Sequence, residues 1–187
     1  MDLGCAKGFL LNEMRSNFNC YGIDFYRPFY VYAKTRFPDI KFYHSDINNL
    51  YILKKNDVIT ACDVLEHIKN PQKVIKQVYE LLNKDGIFFV KVPNLNSLDK
   101  KLKGKDWFGY TDKTHVSLLS EEQWSKLFVK NNFKIVKKYY EGYFDIPYFK
   151  KLKTIQKLFL LPGIFTYIAG INILSKKGEN IIFVLRR

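Results

Sequence analysis

An α/β chain built around a doubly wound, mostly parallel sheet is predicted by three features of this sequence. Short apolar runs alternate with amphipathic helical stretches along the chain. A small-residue loop, Gly4-Cys5-Ala6-Lys7-Gly8, stands between the first apolar residues and the first helical stretch. The last two apolar runs lack a full crossover helix before the end, which predicts an antiparallel addition at one edge of the sheet.

The elements follow in order. Leu3 belongs to a first strand, and Gly8 to Arg15 reads as a helix start. "CYGIDF", Cys20 to Phe25, is an apolar run bounded by Asn19 and Arg27-Pro28, which suits a second strand. A helix from Phe29 to Phe37 ends at Pro38, and "IKFYH", Ile40 to His44, is the third strand. "DVITACDV", Asp57 to Val64, has the continuous apolar character of a strand buried on both faces. Asn70-Pro71 opens a helix with proline at its first position and apolar Val74, Ile75, Val78, Leu81 and Leu82 at helical spacing, and Lys84-Asp85-Gly86 closes it. "GIFFVKVPN", Gly86 to Asn94, is the fifth strand. Ser120 and Gln123 form a capping box ahead of Trp124, Leu127 and Phe128. "FKIVKKYYEG", from Phe133, and "NIIFVLRR", from Asn180, are the last two strands.

The chain of 187 residues, 47% hydrophobic, suits one domain over 1–187 with a sizeable core. An apolar insertion at about 145–178 separates the last two strands. The three cysteines, Cys5, Cys20 and Cys62, have neither metal-like spacing nor a disulfide framework, which points to a reducing compartment. The first residues lack the basic and apolar regions of a secretory signal, so the expected location is cytoplasmic. A formal charge of +13 would attract anions, but the lysines are spread along the whole chain, and a compositional bias accounts for them as well as a nucleic-acid partner does.

The opening loop can be read physically. A tight strand-to-helix turn needs residues that tolerate close backbone approach, and Gly4, Ala6 and Gly8 supply them. The dinucleotide pattern G-x-G-x-x-G is not met, because alanine stands at 6 and Phe9 at the last position. Asp24 ends the second strand, where a carboxylate accepts hydrogen bonds from both hydroxyls of a ribose; its plainer reading is a cap for the next helix. Asp46 is placed either to receive an adenine amino group or to form an Asx turn.

At these residues the chain resembles the class I S-adenosylmethionine-dependent methyltransferases. "DLGCAKG" is similar to their first motif, "GIDF" to the acidic end of the second strand, and "SDI" to the adenine-contacting segment. "DVLEHI" and "LLNKDGIFFVKVPN" are similar to the fourth and fifth strand regions. Asp63-Val64-Leu65-Glu66-His67 and Asp112-Lys113-Thr114-His115-Val116 resemble a subgroup related to ubiquinone-biosynthesis O-methyltransferases and to methyltransferases of surface-glycan pathways. The resemblance implies a Rossmann-like, seven-stranded sheet of order 3-2-1-4-5-7-6 and S-adenosyl-L-methionine as cofactor. It also implies that Asp2, Gly4, Cys5, Ala6 and Gly8 border the methionine part of the cofactor. Asp24 would then hold the ribose, Asp46 and Ile47 the adenine, with Phe25 and Leu65 among the contacts, and Cys62 and Asp63 beneath the sulfonium. Family members carry more residues ahead of the first motif; with Met1 directly before Asp2, the first strand is expected to be truncated at its amino end, lowering stability and cofactor affinity.

Glu66 and His67 have two readings: a helix-start carboxylate with a packed histidine, or, together with Asp63, ligands of a divalent cation that acidifies a substrate hydroxyl. No further ligand is evident for the second. His115 follows "KGKDWFGYTDKTH", whose Trp107, Phe108 and Tyr110 would cover a substrate. His115 either accepts the proton of an attacking hydroxyl or hydrogen-bonds backbone, and His67 is the second candidate for the base. The expected reaction is O-methylation of a small-molecule or lipid-linked glycan substrate. RNA methylation at ribose or ring positions, and a non-catalytic cofactor-binding subunit, are the alternatives. Leu158 to Ser175 carries no charge, is flanked by lysines and is interrupted by Pro162-Gly163. It is too short and broken to span a membrane, so 155–174 is expected to pack, pair two subunits, or rest on the inner membrane surface.

Overall fold

The computed structural model describes residues 1–50, 54–141 and 177–187 of the chain. Seven strands form one sheet, in the order β3-β2-β1-β4-β5-β7-β6. They are β1 (Asp2–Leu3), β2 (Tyr21–Asp24), β3 (Lys41–His44), β4 (Asn56–Cys62), β5 (Leu82–Pro93), β6 (Lys134–Glu141) and β7 (Asn180–Arg186). Strand β1 pairs in parallel with β2 on one side and β4 on the other, and β7 enters antiparallel between β5 and β6. The sheet order expected from the resemblance and the antiparallel edge expected from the missing crossover are both present.

The helices are α1 (Phe9–Met14), α2 (Arg27–Arg36), α3 (Pro71–Leu81), α4 (Leu98–Lys103), α5 (Phe108–Thr111) and α6 (Glu121–Lys130), with a single-turn 3-10 helix at Leu65–His67 after β4. Two start as their capping residues require. The Asn70 side chain accepts from Lys73 N with Pro71 at the first position, and Ser120 with Gln123 makes both bonds of a capping box. The end of α3 differs from expectation. Leu82 already pairs with Asn56, and a register shift between Asn56 and Val58 takes up the Lys84-Asp85-Gly86 turn inside β5. Helix α4, unexpected from the sequence, is capped by the Ser97 hydroxyl accepting from Lys100 N at 3.0 Å.

Two apolar clusters hold the layers together. The larger joins Leu3, Ile23, Ile59 and Val90 of the sheet to Val74, Ile75 and Val78 of α3 and to Trp124 and Phe128 of α6. Trp124 stacks on Phe128, which meets Phe88 and Phe183 edge-on. Each such side chain stabilises the fold by roughly 1.5–3 kcal/mol. The smaller cluster, with Cys5, Leu11, Ala33, Phe37, Ile40 and Phe42, seats α1 and α2 beside β3. Together they fix the carboxyl ends of β1, β2 and β4 side by side, where a doubly wound sheet opens its crevice.

The apolar stretch at 155–174, expected to pack, dimerise or meet a membrane, lies outside the described residues, as does all but Lys177–Gly178 of the insertion at 145–178. Among the described residues no helix is long and apolar enough to cross a membrane.

Candidate functional site

The loop from β1 to α1 is wired to its neighbours. Gly4, Ala6 and Gly8 have positive φ of 65°, 46° and 78°. A side chain at Gly4 would set its Cβ 2.5 Å from Val64 Cγ2, so both conformation and space call for glycine there. Cys5 N donates to Ile23 O at 3.0 Å and Gly8 N to Cys5 O at 2.9 Å. Asp24, buried at the end of β2, takes Ala6 N on Oδ2 and Tyr26 N on Oδ1, each at 2.8 Å. This carboxylate thus splints the loop to the next helix and still has lone pairs to offer.

Asp2 is buried below the loop, its Oδ1 accepting from Thr60 Oγ1 at 2.6 Å. Burial pushes its carboxyl up to about 6 against that hydrogen bond. Phe25 follows Asp24 and is 71% exposed, a bare ring at the mouth of the crevice. Asp46 forms an Asx turn, its Oδ1 accepting from Asn48 N at 2.8 Å, and Ile47 is buried beneath it.

At the end of β4, Asp63 turns at φ 56° and its carboxylate meets Lys91 Nζ at 3.0 Å; Lys91 also reaches Glu141 at 3.6 Å. Burial opposes the Lys91 charge, but Asp63 and then Glu141 outweigh it and the lysine pKa is raised. Burial pushes the thiols of Cys5 and Cys62 up to about 12, so both stay protonated at neutral pH.

A second cluster forms where residues Asp112 to Ser117 close over the 3-10 turn. Val116 N and Ser117 N both donate to Glu66 O, at 2.9 and 2.8 Å, and Ser117 Oγ donates to Ile68 O at 2.6 Å. These bonds bring the His115 ring to 4.7 Å from that of His67. The Thr114 hydroxyl gives its proton to Asp112 Oδ1 at 2.5 Å, so it accepts from His67 Nδ1 at 2.9 Å. His115 Nδ1 faces Gly109 O at 2.9 Å and must donate. Both imidazoles therefore donate from Nδ1, so that in the neutral ring the lone pair is on Nε2. Beside them Glu66 is buried, 1% exposed, with neither carboxylate oxygen hydrogen-bonded. Burial pushes its carboxyl up to about 8.

The structure brings Asp2, Gly4, Ala6, Gly8, Asp24, Cys62 and Asp63 to the adjacent carboxyl ends of β1, β2 and β4. Glu66 and His67 are grouped with His115 and not with Asp63, which Lys91 draws away. Leu65 is wholly buried in the larger core, and its side chain presents no surface to a ligand. Trp107, expected to cover a substrate, is likewise fully buried, while Tyr110 is half exposed. Sequence reasoning passes over Lys91 and Thr114; the only signal for Thr114 is its place two residues after Asp112 and next to His115.

Residues 1–138 match the family described as methyltransferase domain. The chain belongs to that family. As a class I S-adenosylmethionine-dependent methyltransferase, it uses S-adenosylmethionine as its cofactor. Similar solved structures share its fold at low identity. One is an S-adenosylmethionine-dependent methyltransferase from Archaeoglobus fulgidus, 16% identical, covering 100% of this chain and 84% of that one with a TM-score of 0.69. Another, from Clostridium acetobutylicum, is 17% identical over 99% of this chain and 82% of that one, with a TM-score of 0.66. The plantazolicin methyltransferase BamL, in complex with a triazolic desmethylPZN analog and SAH, is 18% identical over 100% of this chain and 75% of that one, with a TM-score of 0.69. In sequence, 41 residues of this methyltransferase are 42% identical to the ubiquinone biosynthesis O-methyltransferase of Glaesserella parasuis serovar 5. That match spans 22% of this chain and 17% of the relative's length.

Proposed function

We propose that this methyltransferase acts on a hydroxyl oxygen of a small molecule or of a lipid-linked glycan. The observation that carries the reading is the pair of Nε2 lone pairs on His67 and His115 beside the buried Glu66. An amine acceptor attacks with a lone pair it already has. A hydroxyl must give up a proton as its oxygen attacks, and an unprotonated imidazole is the common means of taking it. The partial likeness to an O-methyltransferase supports the same choice.

The donor set at the strand ends fits the cofactor. Asp24 accepts the ribose hydroxyls through the lone pairs that Ala6 N and Tyr26 N leave open, and is held in place by those same two bonds. The exposed Phe25 ring offers a face to the adenine, with Asp46 and Ile47 on its far side. Gly4, Cys5, Ala6 and Gly8 keep the loop close to the sheet beside the methionine moiety, and the buried Asp2 carboxylate supplies negative charge beneath its cationic groups. Cys62 and Asp63 border the same end of β4, with Lys91 holding the Asp63 side chain. Once bound, the cofactor supplies an electrophilic methyl group on a sulfonium. The chain's own contribution is alignment, exclusion of water and removal of the hydroxyl proton at the Glu66, His67 and His115 cluster.

The test is a panel of phenol, sugar-hydroxyl and amine acceptors incubated with the full chain and methyl-labelled cofactor. Label in hydroxyl acceptors is expected. Transfer confined to amines would overturn the assignment to oxygen.

A further inference from the structure

Helix α2 lies on the sheet the wrong way round for a helix in water. A surface helix turns its apolar stripe to the core and its polar face outward. Of the ten residues of α2 only Ala33 is buried, in the smaller cluster with Leu11 and Phe42. Pro28, Val31, Tyr32 and Thr35 stand at i, i+3, i+4 and i+7, so they share one face, and all four are exposed. Val31 and Tyr32 keep 50% and 41% of their surface bare. The patch continues onto α1, where the Phe9 ring meets Tyr32 edge-on at 6.2 Å and Phe9 and Leu10 are 55% and 40% exposed. Its charge is of one sign. From Phe25 to Pro38 the chain has Arg27, Lys34 and Arg36 and no acid. By helical position Arg27 and Lys34 flank the stripe on one side and Arg36 on the other. Lys7 adds a further cation, its Nζ 5.4 Å from the centre of the Tyr32 ring and 5.8 Å from that of Phe29. The nearest acids in sequence are engaged elsewhere: Asp39 meets Arg15 at 3.8 Å, and Glu13 takes the Asn12 amide at 3.1 Å.

We propose that the outer face of α2, with the first turn of α1, docks on the surface of an anionic lipid bilayer. Aliphatic and aromatic side chains of such a face enter the boundary between headgroups and acyl chains, while lysine and arginine keep their charged ends level with the phosphates. Tyrosine, apolar in body and polar at its tip, suits the level between the two. RNA answers the cations but not the stripe. Leu10 and Val31 give a base no ring to stack on, and the Tyr32 ring is already taken up by Lys7 and Phe9. A second copy of the chain is also a poorer occupant, because a two-fold interface sets Arg27, Lys34 and Arg36 against the same charges. Helix α2 begins directly after Asp24, Phe25 and Tyr26, so a bilayer on this face lies beside the mouth of the cofactor crevice. The docking holds whichever atom accepts the methyl group; only its use in admitting a lipid-linked acceptor rests on the reading above.

The experiment is co-sedimentation of the full chain with sucrose-loaded vesicles of phosphatidylcholine alone and of phosphatidylcholine with phosphatidylglycerol, at low and high salt. Circular dichroism and melting temperature check that each variant is folded. The parent is expected to pellet with the phosphatidylglycerol vesicles and to be released by salt. Val31→Glu/Tyr32→Glu should lower the partition coefficient by about tenfold or more. Lys34→Gln/Arg36→Gln keeps the apolar stripe intact and should lower it by roughly fivefold per charge, which decides the matter if the first variant does not fold. The proposal is overturned if the parent does not sediment with the anionic vesicles, or if the folded variants sediment as the parent does. It is overturned in favour of a second copy if sedimentation velocity shows a dimer that Val31→Glu/Tyr32→Glu dissolves and no lipid is bound. Binding to poly(U) that needs Lys34 and Arg36, again without lipid, overturns it in favour of nucleic acid. Sedimentation that depends on phosphatidylglycerol and on α2, with methyl transfer only to amines, keeps the docking face and removes the hydroxyl reading.

Discussion

The β1–α1 loop and the Glu66–His115 cluster lie on the same molecule but are built on opposite terms. In the loop every bond is local or between adjacent strands, and Asp24, its charged centre, has both oxygens occupied by backbone N–H groups. In the cluster, residues from two distant segments meet, and Glu66 has both oxygens bare. A region whose polar groups are satisfied internally is ready before its ligand arrives. One with a buried carboxyl that has no hydrogen-bond partner carries a desolvation cost, which protonation or a ligand relieves.

That contrast can be broken by experiment, most sharply at Asp24. Replacing it with alanine strands two backbone donors and removes the proposed ribose acceptor, and calorimetric titration with S-adenosylmethionine should show affinity lowered on the order of 100-fold, about 3 kcal/mol. A loss of less than threefold would mean that the loop does not depend on its splint. At the cluster the balance should invert. His115→Ala is expected to lower turnover by a similar factor, on the order of 100-fold, while cofactor affinity changes by less than about threefold. Parallel loss of both would make His115 a structural residue of the Asp112–Ser117 segment.

Stability measurements sharpen the same comparison. Gly4→Ala must be accommodated at positive φ and against Val64, and urea unfolding should show a loss of roughly 2 kcal/mol or more. An effect of similar size, but spread over pH, is expected from Asp2. Its carboxyl titrates at about 6 in the folded chain against an ordinary 3.8, so the native state holds the extra proton between those two pH values. Stability from this group therefore falls as pH rises from about 4 to about 6, by roughly 2–3 kcal/mol at most, and stays low above that. Asp2→Asn should flatten this part of the profile of melting temperature against pH. An unchanged slope would show that Asp2 titrates normally.

How much of the molecule is legible in its sequence follows the same division. Asn70-Pro71 and Ser120-x-x-Gln123 announce their helices because a cap is written within four positions, and both caps form. The loop is legible for the same reason: its glycines, and the acid at the end of the next strand, are read from short-range pattern. Leu82 reads as helical because its partner, Asn56, is reached only by pairing across the sheet. Adjacency groups Asp63 with Glu66 and His67, whereas its own backbone turn sends it to Lys91. His115 joins His67 through Thr114 across 47 positions of sequence, a contact no local spacing encodes. Trp107 reads as a substrate cover because aromatic composition in a loop does not say which ring points inward.

The position of β7 has a consequence for how the chain is made. Its Ile181, Phe183 and Leu185 are fully buried, and it bridges β5 and β6, which have no other link across the sheet. Until residues 180–186 have left the ribosome, the β5 edge from Ile87 to Pro93 has no mate, and β6 has nothing to pair with. Between the synthesis of β5 and that of β7 the nascent protein therefore carries a raw, apolar strand edge on β5, the kind of surface on which chains stick to one another and which chaperones cover. Completion of the sheet is left to its last strand.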